Sequence, residues 1–519
     1  GQLTGADPME AAAQGLEAVT AIETYFKTGK MTVRPSVRHR TADERYYSLH
    51  YNYEVKDISR IKGEPEAARC MQCNCSECYD VCPMMEKEKK FPRKMCGDVV
   101  VTLKPNMCQR TGVRMITGCT YCGKCREVCP EGIDMGYCMQ NARNDFYESG
   151  AMSPAFHDFW IRDMEFSLSE DFFLVQRQDE KKPCDVLFFP GCQLAAASPE
   201  TVLSCYGKIC ENSRNAAVYL GCCGIPAAWA GMTEEADQAA EKIREEWNRL
   251  GSPLMVTACP SCLSRIRSAC PEIPLQSVYE WMAEHLSISV HPEKKSVMVL
   301  DACSSAGEPK LQKAVRTLLD RAGWKVENEE ADPGCCGFGG HIYQSDPELY
   351  REFAKRRITD ESALYGVYCA NCRDAFVSGH TDARHVLDLI CGEESSPFIL
   401  PTLDERRDNR RWLKRRIGHE EEPEREENSR MQILISTELT EQMNRELILQ
   451  EEVRQVIEEA QGSGIGAYDP EKDIYYGHKT FGYITLWVGY RIEEEQIRAV
   501  SVYSHRVTVK EDRPAGQKG

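Results

Sequence analysis

Five cysteines in a fixed order occur twice in the middle of this chain, and no other feature limits its fold so tightly. The first set is Cys192, Cys222-Cys223 and Cys259-x2-Cys262; the second is Cys303, Cys335-Cys336 and Cys369-x2-Cys372. Their leading members lie 111, 113 and 110 residues apart, so the segment is an internal duplication. Short apolar runs lead into these groups: Val186–Phe189 before Cys192, 217–220 before Gly221-Cys222-Cys223-Gly224, Leu254–Thr257 before Cys259, 297–300 before Cys303, and 365–368 before Cys369. Such runs read as buried strands. Helical patterns lie between them. One, capped by Thr233, carries Ala236, Ala240, Ile243, Trp247 and Leu250 on one face and ends at Gly251. Strands alternating with helices predict a mostly parallel sheet, whose sites form at the carboxyl ends of the strands. The three cysteine groups of each copy are therefore expected to converge on one crevice.

The chain holds 27 cysteines in 519 residues. The number is odd and the chain long, with no export signal at its start, so a secreted disulfide framework is excluded and a reducing cytoplasm is expected. No apolar run is long enough for a membrane span, and the mean hydropathy is −0.49. The net charge of −17 argues against nucleic acid, whose phosphates call for a surplus of Lys and Arg. Eighteen cysteines fall at metal-ligand spacings. The other nine, Cys75, Cys96, Cys108, Cys138, Cys184, Cys205, Cys210, Cys270 and Cys391, are read as ordinary thiols. A Cys-Cys pair fits a single four-coordinate metal poorly and suits a larger cluster; a vicinal disulfide is the alternative. Gly221, Gly224, Gly334 and Gly337 flank these pairs and are expected to let the backbone approach a cofactor and turn N–H groups toward sulfur.

Nearer the start, Cys70, Cys73, Cys78 and Cys82 are spaced C-x2-C-x4-C-x3-C before Pro83. Cys119, Cys122, Cys125 and Cys129 are spaced C-x2-C-x2-C-x3-C before Pro130. The second spacing is that of bacterial two-cluster ferredoxins, in which the fourth cysteine of a run reaches the neighbouring cluster. One cubane [4Fe-4S] cluster then takes Cys70, Cys73, Cys78 and Cys129, and the other takes Cys119, Cys122, Cys125 and Cys82. Structural zinc is the alternative for these thiols.

The first motif, with Glu66-Ala67-Ala68-Arg69 before it, resembles the N-terminal iron–sulfur domain of glutamate synthase small subunits. Residues 8–26, opened by Asp7 and Pro8, are similar to the last helix of a flavoprotein domain of that family; an ordinary amphipathic helix is the alternative. There is no Gly-x-Gly-x-x-Gly fingerprint, so no dinucleotide site is expected. The repeated five-cysteine pattern resembles the cysteine-rich (CCG) domain pair found in heterodisulfide reductase, with the ferredoxin segment similar to the separate ferredoxin-type polypeptide of that enzyme, here fused ahead of the pair. Lactate-oxidation and glycerol-3-phosphate dehydrogenase iron–sulfur subunits carry the same pattern. The resemblance implies a noncubane [4Fe-4S] cluster in each copy, with zinc at one site as the alternative, and makes the ten repeat cysteines the place where a disulfide is held and cleaved. Where many relatives have His after the first cysteine of the second copy, this chain has Ser304. His341 is a substitute proton donor, or a surface or packing histidine.

Residues 404–430 carry Arg406, Arg407, Arg410, Arg411, Lys414, Arg415 and Arg416 ahead of an acidic stretch, Glu420 to Glu427, and read as a solvated, internally ion-paired helix or linker. Beyond it, residues 438–460 have helical spacing through Leu439, Met443, Leu447, Leu449, Val453 and Ile457. Residues 483–490 and 497–503 read as paired strands, and His478 and His505 as structural. The expected fold is multidomain: 1–59, a helical segment; 60–180, an α-helical two-cluster ferredoxin domain; 181–295 and 296–400, duplicated α/β cysteine-rich domains; 401–430, a charged linker; 431–519, a small α+β docking domain. The expected function is that of a heterodisulfide reductase-like oxidoreductase subunit. It takes electrons from a partner flavoprotein, in a complex that includes a hydrogenase or dehydrogenase, through two cubanes to paired noncubane clusters that reduce a small disulfide. The alternative is an electron-transfer relay with no substrate of its own, in a larger complex that is electron-bifurcating or not.

Overall fold

The computed structural model describes residues 77–104, 111–129, 132–150, 156–287, 295–328, 330–391, 398–420, 432–463, 466–493 and 496–505, with residues 22, 25 and 26. The helix at 8–26 (apart from those three helical residues), Glu66–Arg69, Cys70, Cys73, Cys75, Cys108, Pro130 and the acidic run after Glu420 lie outside them. The chain forms two compact units, 1–143 and 144–519.

The described part of the first unit is helical. Short helices at Pro83–Glu88 and Pro92–Leu103 each begin with proline, where the missing N–H costs no helical bond. Val113–Gly118, Lys124–Val128 and Met135–Glu148 follow. Met84, Met85, Met95, Met115 and Met139 are fully buried, filling irregular space with adaptable, polarisable side chains.

The second unit holds three sheets. Strands β1 (Leu174–Arg177), β2 (Val186–Phe189), β3 (Ala216–Leu220), β4 (Leu254–Thr257) and β5 (Leu275–Ser277) are ordered β1-β3-β2-β4-β5, parallel except for β1. Strands β6 (Ser296–Leu300), β7 (Lys325–Val326), β8 (Tyr365–Val367) and β9 (Ala383–His385) are ordered β7-β6-β8-β9, all parallel. Setting β2 to β5 against β6 to β9 gives the same order, so the duplication of sequence is a duplication of fold. β2 and β3 are buried along their whole length, which is why they read as unbroken apolar runs rather than alternating ones.

Four features differ from the sequence reading, three of them around the cysteine-rich folds. The helix Thr233–Arg249 does bury Ala236, Ala240, Ile243 and Trp247, and Gly251 closes it at φ +89°; but Met232, not Thr233, occupies the cap position, and Thr233 is the first helical residue. Residues 158–177, grouped by sequence with the ferredoxin segment, pack on the first cysteine-rich fold: Ile161 and Met164 join the cluster around Cys192 and Cys222, and β1 extends its sheet.

The third is the basic run, which is a helix packed along one face, with Arg410, Leu413 and Ile417 buried, and not a solvated segment. Leu403–Gly418 starts with a capping box between Thr402 and Glu405. It lies against the helix Cys192–Ala197, where Asn409 donates to the Ala196 carbonyl at 2.8 Å. Arg410 is 1% exposed and pairs with the buried Asp163, and Arg406 pairs with Asp374. Charge counted along a sequence cannot show that its partners lie in a distant segment.

The last sheet has the order β10-β14-β13-β12-β11, from β10 (Gln432–Leu434), β11 (Ala467–Asp469), β12 (Ile474–Phe481), β13 (Ile484–Glu493) and β14 (Gln496–His505). The long β13–β14 pair is the predicted one. The predicted single helix is two, Thr437–Glu446 and Gln450–Ser463, because Leu447 takes a left-handed conformation (φ +58°) and ends the first. Both pack on the sheet through Met443, Val453, Val456 and Ile457.

Candidate metal centre and cleft

In the first unit the loop and helix geometry gathers Cys82 with Cys119, Cys122 and Cys125, the set that the crossed two-cluster rule assigns to one cubane. Burial pushes the Cys82 thiol up to about 12 and Cys125 to about 11. Burial also raises Cys119, opposed by the Tyr121 amide and by the guanidinium of Arg143. Arg143 is fully buried; it donates to the carbonyls of Ile116 (2.8 Å) and Cys119 (3.1 Å) and lies over the Tyr121 ring at 4.7 Å. A buried cation is thus fixed beside Cys119, a partner sequence spacing gave no sign of. Cys78 and Cys129 are half-buried.

In the second unit every cysteine group follows the carboxyl end of a strand. Cys192 opens the helix after β2; Cys222-Cys223 follow β3; Cys259 is the cap of helix Pro260–Ala269 after β4. In the second copy Cys303 begins the one-turn helix Cys303–Ser305 after β6, Cys335-Cys336 follow β7 after a longer loop, and Cys369 caps the helix Ala370–Ser378. The C-x2-C spacing has a local cause. A cap residue and the third helical residue sit side by side at a helix start, where backbone N–H groups and the dipole favour thiolates. Tyr279 joins the copies here: its hydroxyl lies 3.4 Å from the carbonyl oxygens of Ala258 and Tyr368, the residues before Cys259 and Cys369.

Eight of the ten sulfurs then form one continuous chain across both copies. Cys192 reaches Cys222 at 3.8 Å. From there side-chain bonds run through Cys223, Cys262 and Cys259, cross to Cys369, and continue to Cys372 and Cys336. Protons are shared unequally along it. The bonds from Cys222 and Cys262 hold Cys223 well below the ordinary thiol range, and those from Cys259 and Cys372 do the same for Cys369. Their donors Cys222, Cys262 and Cys372 are driven up. At Cys259 the bond to Cys262 favours ionisation, but the bond to Cys369 and burial outweigh it and push this thiol up to about 12. Cys335 accepts from the Gly337 amide at 3.3 Å, and Cys303, half-buried, makes no sulfur contact among the described residues. The same is true of single-ion cages: among the described residues, no three or more His, Cys, Asp or Glu side chains close around one metal ion.

Gly224 and Gly337, equivalent residues of the two Cys-Cys-Gly turns, are required by both conformation and space. Their φ values are +80° and +91°. A Cβ would lie 2.9 Å from the Ala236 carbonyl oxygen at Gly224 and 2.7 Å from that of Tyr350 at Gly337. Gly221 and Gly334 leave room for Tyr219 and Arg357 instead. Of the four predicted glycines, then, Gly337 is the one whose N–H is turned to sulfur.

A cleft partly open to solvent has all five cysteines of the first copy in its wall. The second copy contributes Phe338, His341, Ala370, Asn371 and His385, and Trp160 and Trp229 complete the aromatic side. His341 is 2% exposed, so it is no surface histidine. Burial holds His385 down to about 4, and its Nδ1 accepts from the Leu387 amide. Sequence reasoning missed His385, Asn371 and Trp229. His385 stands at the end of a strand, the same position that located the cysteines, and was open to that rule; nothing in the sequence marked His157 or Trp160.

Buried thiols that share protons cannot all ionise unless positive charge is placed among them. The donor set therefore fits an iron–sulfur group, in both units. Family models agree. A 4Fe-4S dicluster domain matches residues 38–134, and a cysteine-rich domain, CCG, matches twice, at 186–267 and 297–372. The chain is an iron–sulfur protein built from these domains. It is similar to an uncharacterised iron–sulfur protein of Methanococcus maripaludis, 23% identical over 59% of this chain and 64% of the relative. One subunit of the fumarate reductase (CoM/CoB) of Methanothermobacter marburgensis is 23% identical over 60% of this chain and 68% of the relative. One subunit of the dihydromethanophenazine:CoB–CoM heterodisulfide reductase of Methanosarcina mazei is 23% identical over 57% and 85%. The chain thus spans about two thirds of the length of the first two. The last two relatives are named as parts of reductases, which supports a redox role in electron transfer for this iron–sulfur protein. No helix of its described residues is long and apolar enough to cross a membrane.

Proposed function

We propose that this protein belongs to a cytoplasmic reductase complex and that a small disulfide is cleaved, or formed, at the cleft between its two cysteine-rich copies. The observation that carries the reading is the sulfur chain: Cys259 meets Cys369, so the two five-cysteine sets open onto each other instead of forming separate centres. Cys192, Cys222, Cys223, Cys259 and Cys262 would hold one cluster, and Cys303, Cys335, Cys336, Cys369 and Cys372 the other, both of the noncubane kind. The eight ferredoxin-segment cysteines, Cys70, Cys73, Cys78, Cys82, Cys119, Cys122, Cys125 and Cys129, would hold two cubanes. Bound there, these groups supply one-electron transfer and iron open to sulfur.

The chain's own residues prepare the site. The helix start at Cys369, with the bonds it accepts, favours thiolate, whereas Cys259 holds its proton until positive charge is placed beside it. The aromatic wall of Trp160, Trp229 and Phe338 keeps bulk water from the first-copy sulfurs and offers an apolar surface to the body of a thiol. The single electrons come from a partner flavoprotein, and the C-terminal α+β domain is a docking module for the complex.

The test is spectroscopic. The iron-loaded, oxidised protein is mixed with small thiols, and paramagnetic resonance is recorded. A thiol-induced signal is expected, and it should be lost in Cys223→Ser. Silence toward every thiol, together with fast reduction by a flavoprotein, would overturn the disulfide reading and leave an electron relay.

A further inference from the structure

Two buried histidines meet beside the cleft. His157 precedes the helix Asp158–Leu168, and His341 follows the Cys335-Cys336 loop 184 residues later, yet their Nδ1 atoms are 2.8 Å apart. At that distance one ring donates and the other accepts, so the tautomer of one fixes that of the other. Their surroundings are aromatic. Trp160 stacks on His341 (centroids 5.7 Å, planes 18° apart), Trp229 meets it edge-on at 5.3 Å, and Phe156 lies 4.0 Å from His157. Faces of this kind hold an imidazole in place and stabilise a positive charge on it. His341 also sits in the left-handed backbone region at φ +56°, a strained conformation of the sort that structures keep at functional sites. Of the two rings, His341 lines the cleft together with Cys192 and Cys222.

We propose that His157 and His341 form a proton-exchanging pair for a small thiol or disulfide held in the cleft. His341 is the group that trades the proton, through Nε2, and His157 is a positioning residue that shares the charge. This rests on the reading of the cleft as a thiol–disulfide site. When a thiol enters, its S–H bond breaks and the proton goes to His341 Nε2. The Nδ1 proton of His341 shifts to Nδ1 of His157. A thiolate and one imidazolium charge result, and no electron moves. Run backward, the same step protonates a thiolate as it leaves.

The test counts protons rather than turnover. The iron-loaded full chain is titrated with 2-mercaptoethanol near neutral pH in weak buffer. Binding is read from the visible spectrum and proton release from an indicator dye. The wild-type protein is expected to bind the thiol while releasing well under one proton per thiol. His341→Asn suits the left-handed backbone and keeps a hydrogen-bonding group toward His157; it should bind the same thiol and release about one, since an amide takes up no proton. His157→Asn, on the other side of the pair, should also raise the release and guards against a loss of folding in the first variant. Equal release in the wild type and both variants overturns the pair and leaves the thiol site standing. No thiol-induced change in the wild type overturns both.

Discussion

In the first cysteine-rich copy all five sulfurs line the cleft, whereas in the second Cys303 stands on a one-turn helix apart from the sulfur chain. The strand orders are the same and the cysteine spacings nearly so. What differs is the surroundings. Asp163, a buried carboxylate beneath the first copy, comes from outside the repeat and is held by Arg410, also from outside. The equivalent clamp in the second copy is internal: Asp301, just after β6, takes both Arg316 nitrogens at 2.9 and 2.8 Å and the Tyr368 hydroxyl at 2.8 Å. The two folds are alike, and the different contacts around them make their sites unequal.

The largest expected effect is on metal content. Cys259 joins the two sets, so Cys259→Ser should lower iron by more than the roughly four atoms of one [4Fe-4S] cluster, from about sixteen per chain. Cys303→Ser should remove no more than its own cluster. Iron and acid-labile sulfide analysis decides between them. Equal losses would mean that the two centres are independent and that the comparison is wrong.

The next effect is on stability. At Asp163 burial opposes ionisation, but Arg410, with Arg407 and Gln193, outweighs it and holds the carboxyl below its ordinary range. Removing one partner of such a pair leaves a buried charge, which costs about 3–5 kcal/mol. Arg410→Met is therefore expected to lower the unfolding free energy, read from denaturant curves, by about that much. Arg357→Met in the second copy breaks a pair whose aspartate is 72% exposed and should cost under about 1 kcal/mol. A folded pKa held down stabilises above the unfolded value and is lost as the pH falls through the folded one. The penalty for Arg410→Met should therefore be full at neutral pH and shrink in strong acid.

These unequal surroundings mark what the sequence could reveal. The strands, the repeat and the gathering of the first copy's five cysteines on one cleft follow from apolar runs and cysteine spacing, because a buried parallel strand leaves a compact local signature. So does the β13–β14 pair, whereas the separate place of Cys303 does not. The burial of Arg410 left no such mark, since its partner Asp163 lies 247 residues away. The break at Leu447 was hidden for a related reason: apolar spacing through Leu439 and Val453 continues across it, and only the packing of both helices on one sheet requires the turn. His157 meets His341 through tertiary folding alone.

The smallest expected effect again separates the copies. Ser277 at the end of β5 and His385 at the end of β9 occupy equivalent places, and each accepts from a following backbone amide, Glu280 in one case and Leu387 in the other. The serine cap does not titrate; the histidine does. Burial lowers His385 from 6.5 to about 4. Between those values the unfolded chain binds a proton that the folded one refuses, so stability is full above about pH 6.5 and falls as the pH drops toward 4. At ~1.4 kcal/mol per unit the loss reaches about 3 kcal/mol. His385→Ser copies the first-copy cap into the second and should flatten the denaturant midpoint across this window while leaving the fall at lower pH, where Asp163 protonates. A variant that keeps the wild-type slope would place the acid sensitivity elsewhere and show that the second copy's cap is as inert as the first's.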